Sequence, residues 1–131
     1  GPLAGLVSIT AACNSVTTIL AIIIGIIGSI IAIMTTEILN KLEIDDVVGA
    51  IPVHLMAGIW GTLAVPLTNG DASFVTQLTS VLIVGVFTFV VSLIVWFAID
   101  KIMGIRVSEE DELAGLDSAE LRMDAYPEFS R

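Results

Sequence analysis

The stretch Val47-Val-Gly-Ala-Ile-Pro-Val-His54-Leu-Met-Ala-Gly-Ile-Trp-Gly-Thr-Leu-Ala-Val-Pro-Leu67 decides the fold of this chain. It carries no formal charge, and about 20 apolar residues rising about 1.5 Å each cover the hydrocarbon of a bilayer. The stretch therefore predicts a membrane-crossing helix. Near its middle stands His54, the only histidine in the sequence. An ionisable ring at that depth is costly, so it faces a protein interior or a wet cavity and marks function by default.

Helical counting places Ala50, Ala57, Gly58 and Gly61 on the face of His54, at i−4, i+3, i+4 and i+7. That stripe is small, while Leu55, Ile59 and Leu63 point elsewhere. Pro52, two residues upstream of the histidine, lacks an N–H, frees the carbonyl of Val48 and is expected to bend the helix. Two readings follow. In one, the helix packs closely and the ring bonds a neighbouring carbonyl. In the other, His54 lines a narrow path for a small polar solute.

Working outward, Asp45-Asp46-Val-Val-Gly-Ala-Ile-Pro-Val-His54-Leu-Met-Ala-Gly-Ile-Trp-Gly-Thr62 resembles the penultimate helix of the ammonium transporter (Amt/Mep/Rh) family. Gly1-Pro-Leu-Ala-Gly-Leu-Val-Ser-Ile-Thr10-Ala-Ala-Cys13 is similar to the external end of that family's eighth span, with Pro2 where alanine is usual. Gly104-Ile-Arg-Val-Ser-Glu-Glu-Asp-Glu-Leu-Ala-Gly-Leu-Asp117 resembles its cytoplasmic tail. The resemblance implies an all-α, polytopic membrane helix bundle, the C-terminal part of an eleven-span fold. It also implies that His54 is the second of two histidines at the centre of a conduction pore, and that Thr10 borders the pore beside them. Thr10 has a second reading, as a cap for loose backbone groups at a helix break with Asn14 and Ser15. Further implications are a homotrimer and a PII-type regulator at the tail. Leu121-Arg122 stands where the family has His-Gly, so a left-handed turn that glycine favours is expected to change.

Composition agrees with a membrane protein. Of 131 residues, 56% are hydrophobic and 15% charged, and the mean hydropathy is +0.99; a soluble domain of this size cannot bury so much apolar surface. The net charge is −9, and the residues from Asp100 onward carry more than half of it. No basic, aromatic-interleaved patch points to nucleic acid. One cysteine, Cys13, excludes an internal disulfide and, with one histidine, supplies no metal set; it is expected to be a small buried hydrophobe. No cofactor motif is present.

In chain order, residues 1–13 are too short to cross a membrane and read as the end of a helix. Residues 16–36 form a span whose Gly25, Gly28 and Ser29 make a packing face. Residues 37–46 are a charged break in which Asp45 or Asp46 caps the histidine helix. Residues 47–67 and 74–99 are the next spans, joined by a turn at Thr68–Ser73. Residues 104–131 form an acidic tail, in which Ser108 and Asp111 have capping-box spacing and Gly115 stops the short helix. Lys41 and the basic residues of the tail lie on one side of the membrane, so the positive-inside rule places the C-terminus in the cytoplasm of a multi-pass cell-membrane protein.

The chemistry to be explained is the passage of ammonium or ammonia. The cation pays a large Born cost in hydrocarbon, whereas ammonia loses only hydrogen bonds. A neutral imidazole can donate to or accept from each ammonia. Enzyme activity is not expected: there is no nucleophile–base pair, metal cluster or phosphate loop. Two alternatives to a transporter remain open here. One is an ammonium sensor or receptor built on the same fold; the other is a structural membrane subunit with a satisfied His54.

Overall fold

A computed structural model describes residues 1–123 and Glu128. All of the regular structure among the described residues is helical. Gly1–Phe87 and Thr88–Arg131 form two units.

The first unit is built on three apolar helices. Helix α1 is Pro2–Thr10, with proline in the first turn where its missing N–H leaves no bond unmade. Helix α2, Thr18–Lys41, starts at Thr17, whose side chain accepts from the N–H of Leu20 at 3.4 Å. It ends with Lys41 in its last turn, favourably placed at the negative end of the dipole. The third rod, α3, runs over Ile51–Leu67. It consists of a π-turn at Ile51–Met56, an α-helical body at Ala57–Ala64 and a 3₁₀ turn at Val65–Leu67.

The rod is shorter than the expected 47–67 span. Val47 and Val48 lie outside it, 88% and 84% exposed, in a turn where Gly49 takes φ +67. Helical geometry gives α3 about 25 Å, slightly less than the roughly 30 Å of hydrocarbon. Pro52 lies in its first turn, so it starts the helix and does not bend its middle.

These helices meet through small residues. Ala4, Ala32 and Ala57 form a buried cluster against which Val53 packs, and Ser8, Gly28, Gly61 and Ala64 are buried beside them. The fit is close at backbone level. A Cβ on Gly28 would stand 2.7 Å from the Cβ of Ser8, and one on Gly61 would stand 2.8 Å from the Ser8 Cα. Gly5 and Gly25 also face each other, with room for a Cβ at van der Waals contact. With side chains this small, dispersion between backbones and interhelical hydrogen bonds hold the layer. The packing face expected on α2 is therefore occupied by α1, through Gly25, Gly28 and a hydrogen bond from Ser29 to the Gly1 carbonyl at 2.9 Å. Cys13, expected to be buried, is exposed, because α1 ends at Thr10 and the chain turns out toward Thr17.

The Thr68–Ser73 turn is closed by Asn69, whose side chain accepts from the Asp71 N–H at 3.0 Å. Helix α4, Phe74–Met103, follows for 30 residues with none buried. Thus α2 and α4 are both long and apolar enough to cross a bilayer. Gly104, at φ +72, takes the left-handed position after α4 and donates to the Asp100 carbonyl at 2.9 Å.

The second unit continues from α4 into two short helices, α5 (Glu109–Ala114) and α6 (Leu116–Leu121). The Ser108 hydroxyl caps α5, accepting from the Asp111 N–H at 3.1 Å and donating to the Asp111 carboxylate at 2.6 Å. Arg106 makes a two-pronged contact with Glu112 at 2.8 and 3.1 Å. Both side chains are exposed, so the pair contributes little. Gly115, at φ +90, separates the helices. Arg122 closes α6 in the left-handed region at φ 53, although it is not a glycine. The left-handed turn survives the change to arginine, at a cost of about 1 kcal/mol. Residues 124–127 and 129–131 of the expected 104–131 tail lie outside the described residues.

Candidate functional site

The site begins at the charged break. The Asp46 carboxylate accepts from the N–H groups of Ala50 and Ile51, each at 2.8 Å, and so satisfies two of the orphan donors at the start of α3. Its charge also stands at the positive end of the helix dipole. Of the two aspartates, Asp46 carries the cap.

Directly after this cap the helix adopts the π-turn that contains His54. A π-turn places one more residue in a turn than an α-helix does, and such turns recur at functional sites. Here the Ala57 N–H returns to the Pro52 carbonyl, five residues back. The extra residue changes which side chains share a face. Ala57, Gly61 and Ala64 are buried in the packed layer, and Pro52 and Val53 face it from the other side of the turn. His54, Leu55 and Met56 are exposed.

The expected stripe of Ala50, His54, Ala57, Gly58 and Gly61 is thus divided. Its buried members pack against α1, while the imidazole points away from that contact.

Two side-chain hydrogen bonds tie α3 to its neighbours, both at or beyond Ala57, and a third holds the residue that follows it. Ser8 on α1 reaches the Ala57 carbonyl at 3.2 Å. The Trp60 indole N–H donates to the Ile24 carbonyl of α2 at 3.0 Å. The hydroxyls of Ser15 and Thr68 lie 3.2 Å apart. In an apolar environment each bond also removes an unpaired polar group.

Thr10, the second expected site residue, ends α1 with its side chain exposed. Its hydroxyl donates to the Leu6 carbonyl at 2.8 Å, within its own helix. That bond joins it neither to His54 nor to the break at Asn14. A hollow of about 700 Å³ between α1 and α2, lined by residues such as Leu6, Ala21 and Ile30, includes neither His54 nor Thr10.

Ser8 and Trp60 are the participants that sequence reasoning passed over. A signal for Ser8 was present: Ala4 and Ser8 repeat the four-residue spacing of small residues that marks the packing face of α2. For Trp60 the signal was an indole N–H inside an uncharged helix, which needs an acceptor.

Residues 1–126 match the family model described as the Ammonium Transporter Family. The ammonium transporter Amt2 of Archaeoglobus fulgidus is 38% identical, over 98% of this chain and 32% of its own length. Amt1 of Haloferax mediterranei is 39% identical over 98% of this chain and 26% of its own length. For Amt2 of the same organism the figures are 38%, 98% and 30%. The chain spans about a third or less of the curated relatives it matches.

Proposed function

The chain belongs to the ammonium transporter family, a family of polytopic helical membrane proteins, and on that premise we propose that it forms part of a path for ammonium or ammonia across the cell membrane, with His54 as the polar point of the path. The observation that carries the reading is the position of His54. The only histidine of the chain stands in a π-turn of an uncharged apolar rod, directed away from the packed face.

In this reading the path selects by the cost of dehydration. An ammonium ion loses its hydration on entering an apolar passage, which is far more costly than the loss of hydrogen bonds by ammonia. The imidazole of His54 restores a hydrogen bond at the point where both have been lost, since a neutral ring carries one donor and one acceptor. Thr10 contributes its methyl and the acceptor capacity left to a hydroxyl whose proton is given to Leu6. Helices α2, α3 and α4 cross the bilayer, and Trp96 near the end of α4 suits the interfacial belt. Lys41, Lys101 and Arg106 lie on the cytoplasmic side with the tail. The full-length protein is a homotrimer, and the acidic tail with its Ser108-capped α5 is the surface offered to a PII-type regulator.

The test is a comparison of His54→Ala with His54→Glu in the full-length protein, by methylammonium uptake and potassium leak in proteoliposomes. Alanine, which suits both helix and bilayer, is expected to abolish selective uptake. Glutamate, which can still bond ammonia and relay a proton, is expected to keep a measurable part of it. Equal and undiminished uptake by both variants would remove His54 from the path.

A further inference from the structure

Ser8 is the one buried polar side chain among the described residues. Its hydroxyl oxygen lies 2.8 Å from the carbonyl of Ala4 and 3.2 Å from that of Ala57. A serine hydroxyl has one proton, so the two carbonyls share it in a three-centre bond. The place is crowded on every side. The bare faces of Gly28 and Gly61 both lie against Ser8, which therefore occupies the point where α1, α2 and α3 come together.

The position of Ala57 gives this contact a consequence. Ala57 is the first residue after the π-turn, and its N–H closes that turn on Pro52. From it onward, α3 is tied to its neighbours through Ala57 and Trp60, and the residue after it, Thr68, through Ser15. At its start the turn is capped by Asp46 through the N–H groups of Ala50 and Ile51, and Pro52 and Val53 rest on the small-residue layer by packing alone, with no side-chain hydrogen bond to it. The turn takes up the one-residue offset between these two parts. In an unbroken α-helix the same offset would swing the histidine by about 100° relative to Ala57.

We propose that Ser8 is a positioning residue for His54: by holding the Ala57 carbonyl across the α1–α3 contact, its hydroxyl fixes the π-turn that keeps the imidazole off the packed face. The consequence for flux rests on the pore reading of His54. The consequence for the ring itself does not.

Histidine labelled with ¹³C and ¹⁵N in the full-length protein, reconstituted in lipid vesicles, reports the ring by magnetic resonance, and the signals missing from His54→Ala are those of His54. Ser8→Ala is expected to shift the Cα and ring signals of His54. It is also expected to lower methylammonium flux per assembled molecule about fivefold, the population change that one hydrogen bond of ordinary net strength supports. Ser8→Cys, close in volume and a weak donor, is expected to fall between Ser8→Ala and the unaltered protein. Unchanged His54 signals in Ser8→Ala overturn the proposal, whatever the flux. Shifted signals with unchanged flux uphold the positioning role and count instead against the pore reading. Should Ser8→Ala fail to assemble, Ser8→Cys decides: shifted His54 signals support the proposal, and signals identical to those of the unaltered protein overturn it.

Discussion

Helices α2 and α4 are both long, apolar and free of charge through their middle, yet they are used differently. Helix α2 buries Ile24, Gly28 and Ala32 against the rest of its unit, while α4 buries nothing. Apolar character does not separate them, since both pass as membrane spans. What separates them is the spacing of small side chains. In α2, Gly25, Gly28, Ser29 and Ala32 recur at three- and four-residue intervals and let α1 approach to backbone contact. In α4, Gly85 is isolated among Val, Phe and Leu, and a Cβ there would meet nothing within 4 Å. In a bilayer, apolar surface alone gives no reason for two helices to associate, because lipid solvates it equally well. Close approach supplies the reason, and among the described residues it is α2 that makes it.

Adding a methyl group at each kind of site breaks or sharpens this contrast. Gly61→Ala should have the largest effect. Its Cβ would meet the backbone of Ser8, which cannot rotate away, and the expected loss is about 3 kcal/mol. Gly28→Ala should cost somewhat less, about 2 kcal/mol, because part of its clash is with the Ser8 hydroxyl, which can turn aside at the expense of its hydrogen bonds. Gly85→Ala should be neutral or stabilising by up to about 1 kcal/mol, since alanine is the better helix former and no neighbour is met. Reversible unfolding in mixed micelles measures all three. Equal losses at Gly28 and Gly85 would remove the distinction between the two helices.

Most of the helical layout could be read from the residues, because its signals are local. The small-residue face of α2, an aspartate cap at Asp45 or Asp46, the Ser108 cap and the Gly115 stop each depend on a few adjacent side chains whose chemistry is specific. The π-turn at Ile51–Met56 could not. It adds one residue to a turn and leaves no mark in composition, so helical counting ran Ala57 and Gly61 onto the face of His54. The structure divides them because hydrogen bonds at Ala57, Trp60 and the following Thr68 hold this part of the chain, and such contacts link residues far apart in sequence. The same reason hid Ser8, whose role depends on Gly28 and Gly61 and on neither of its sequence neighbours. Thr10 was recognised through a family motif, but its bond to Leu6 is a local choice that the motif does not encode. The turn at Arg122 went the other way: a missing glycine suggested a changed turn, and the backbone keeps its left-handed residue regardless.

The central claim is that His54 serves the path and not the packing, and flux per assembled molecule tests it most directly. His54→Ala is to be reconstituted beside Gly61→Ala, with assembly and methylammonium uptake measured on the same samples. His54 is exposed and outside the Ser8 contact, so its alanine variant should assemble normally and lose at least about tenfold in uptake, the scale expected when a dehydrated solute loses a hydrogen bond of about 1.4 kcal/mol. Gly61→Ala, whose Cβ meets the Ser8 backbone, should instead show its main loss in assembled protein, with uptake per assembled molecule lowered no more than in Ser8→Ala. Normal assembly with undiminished, selective uptake in His54→Ala would contradict the account.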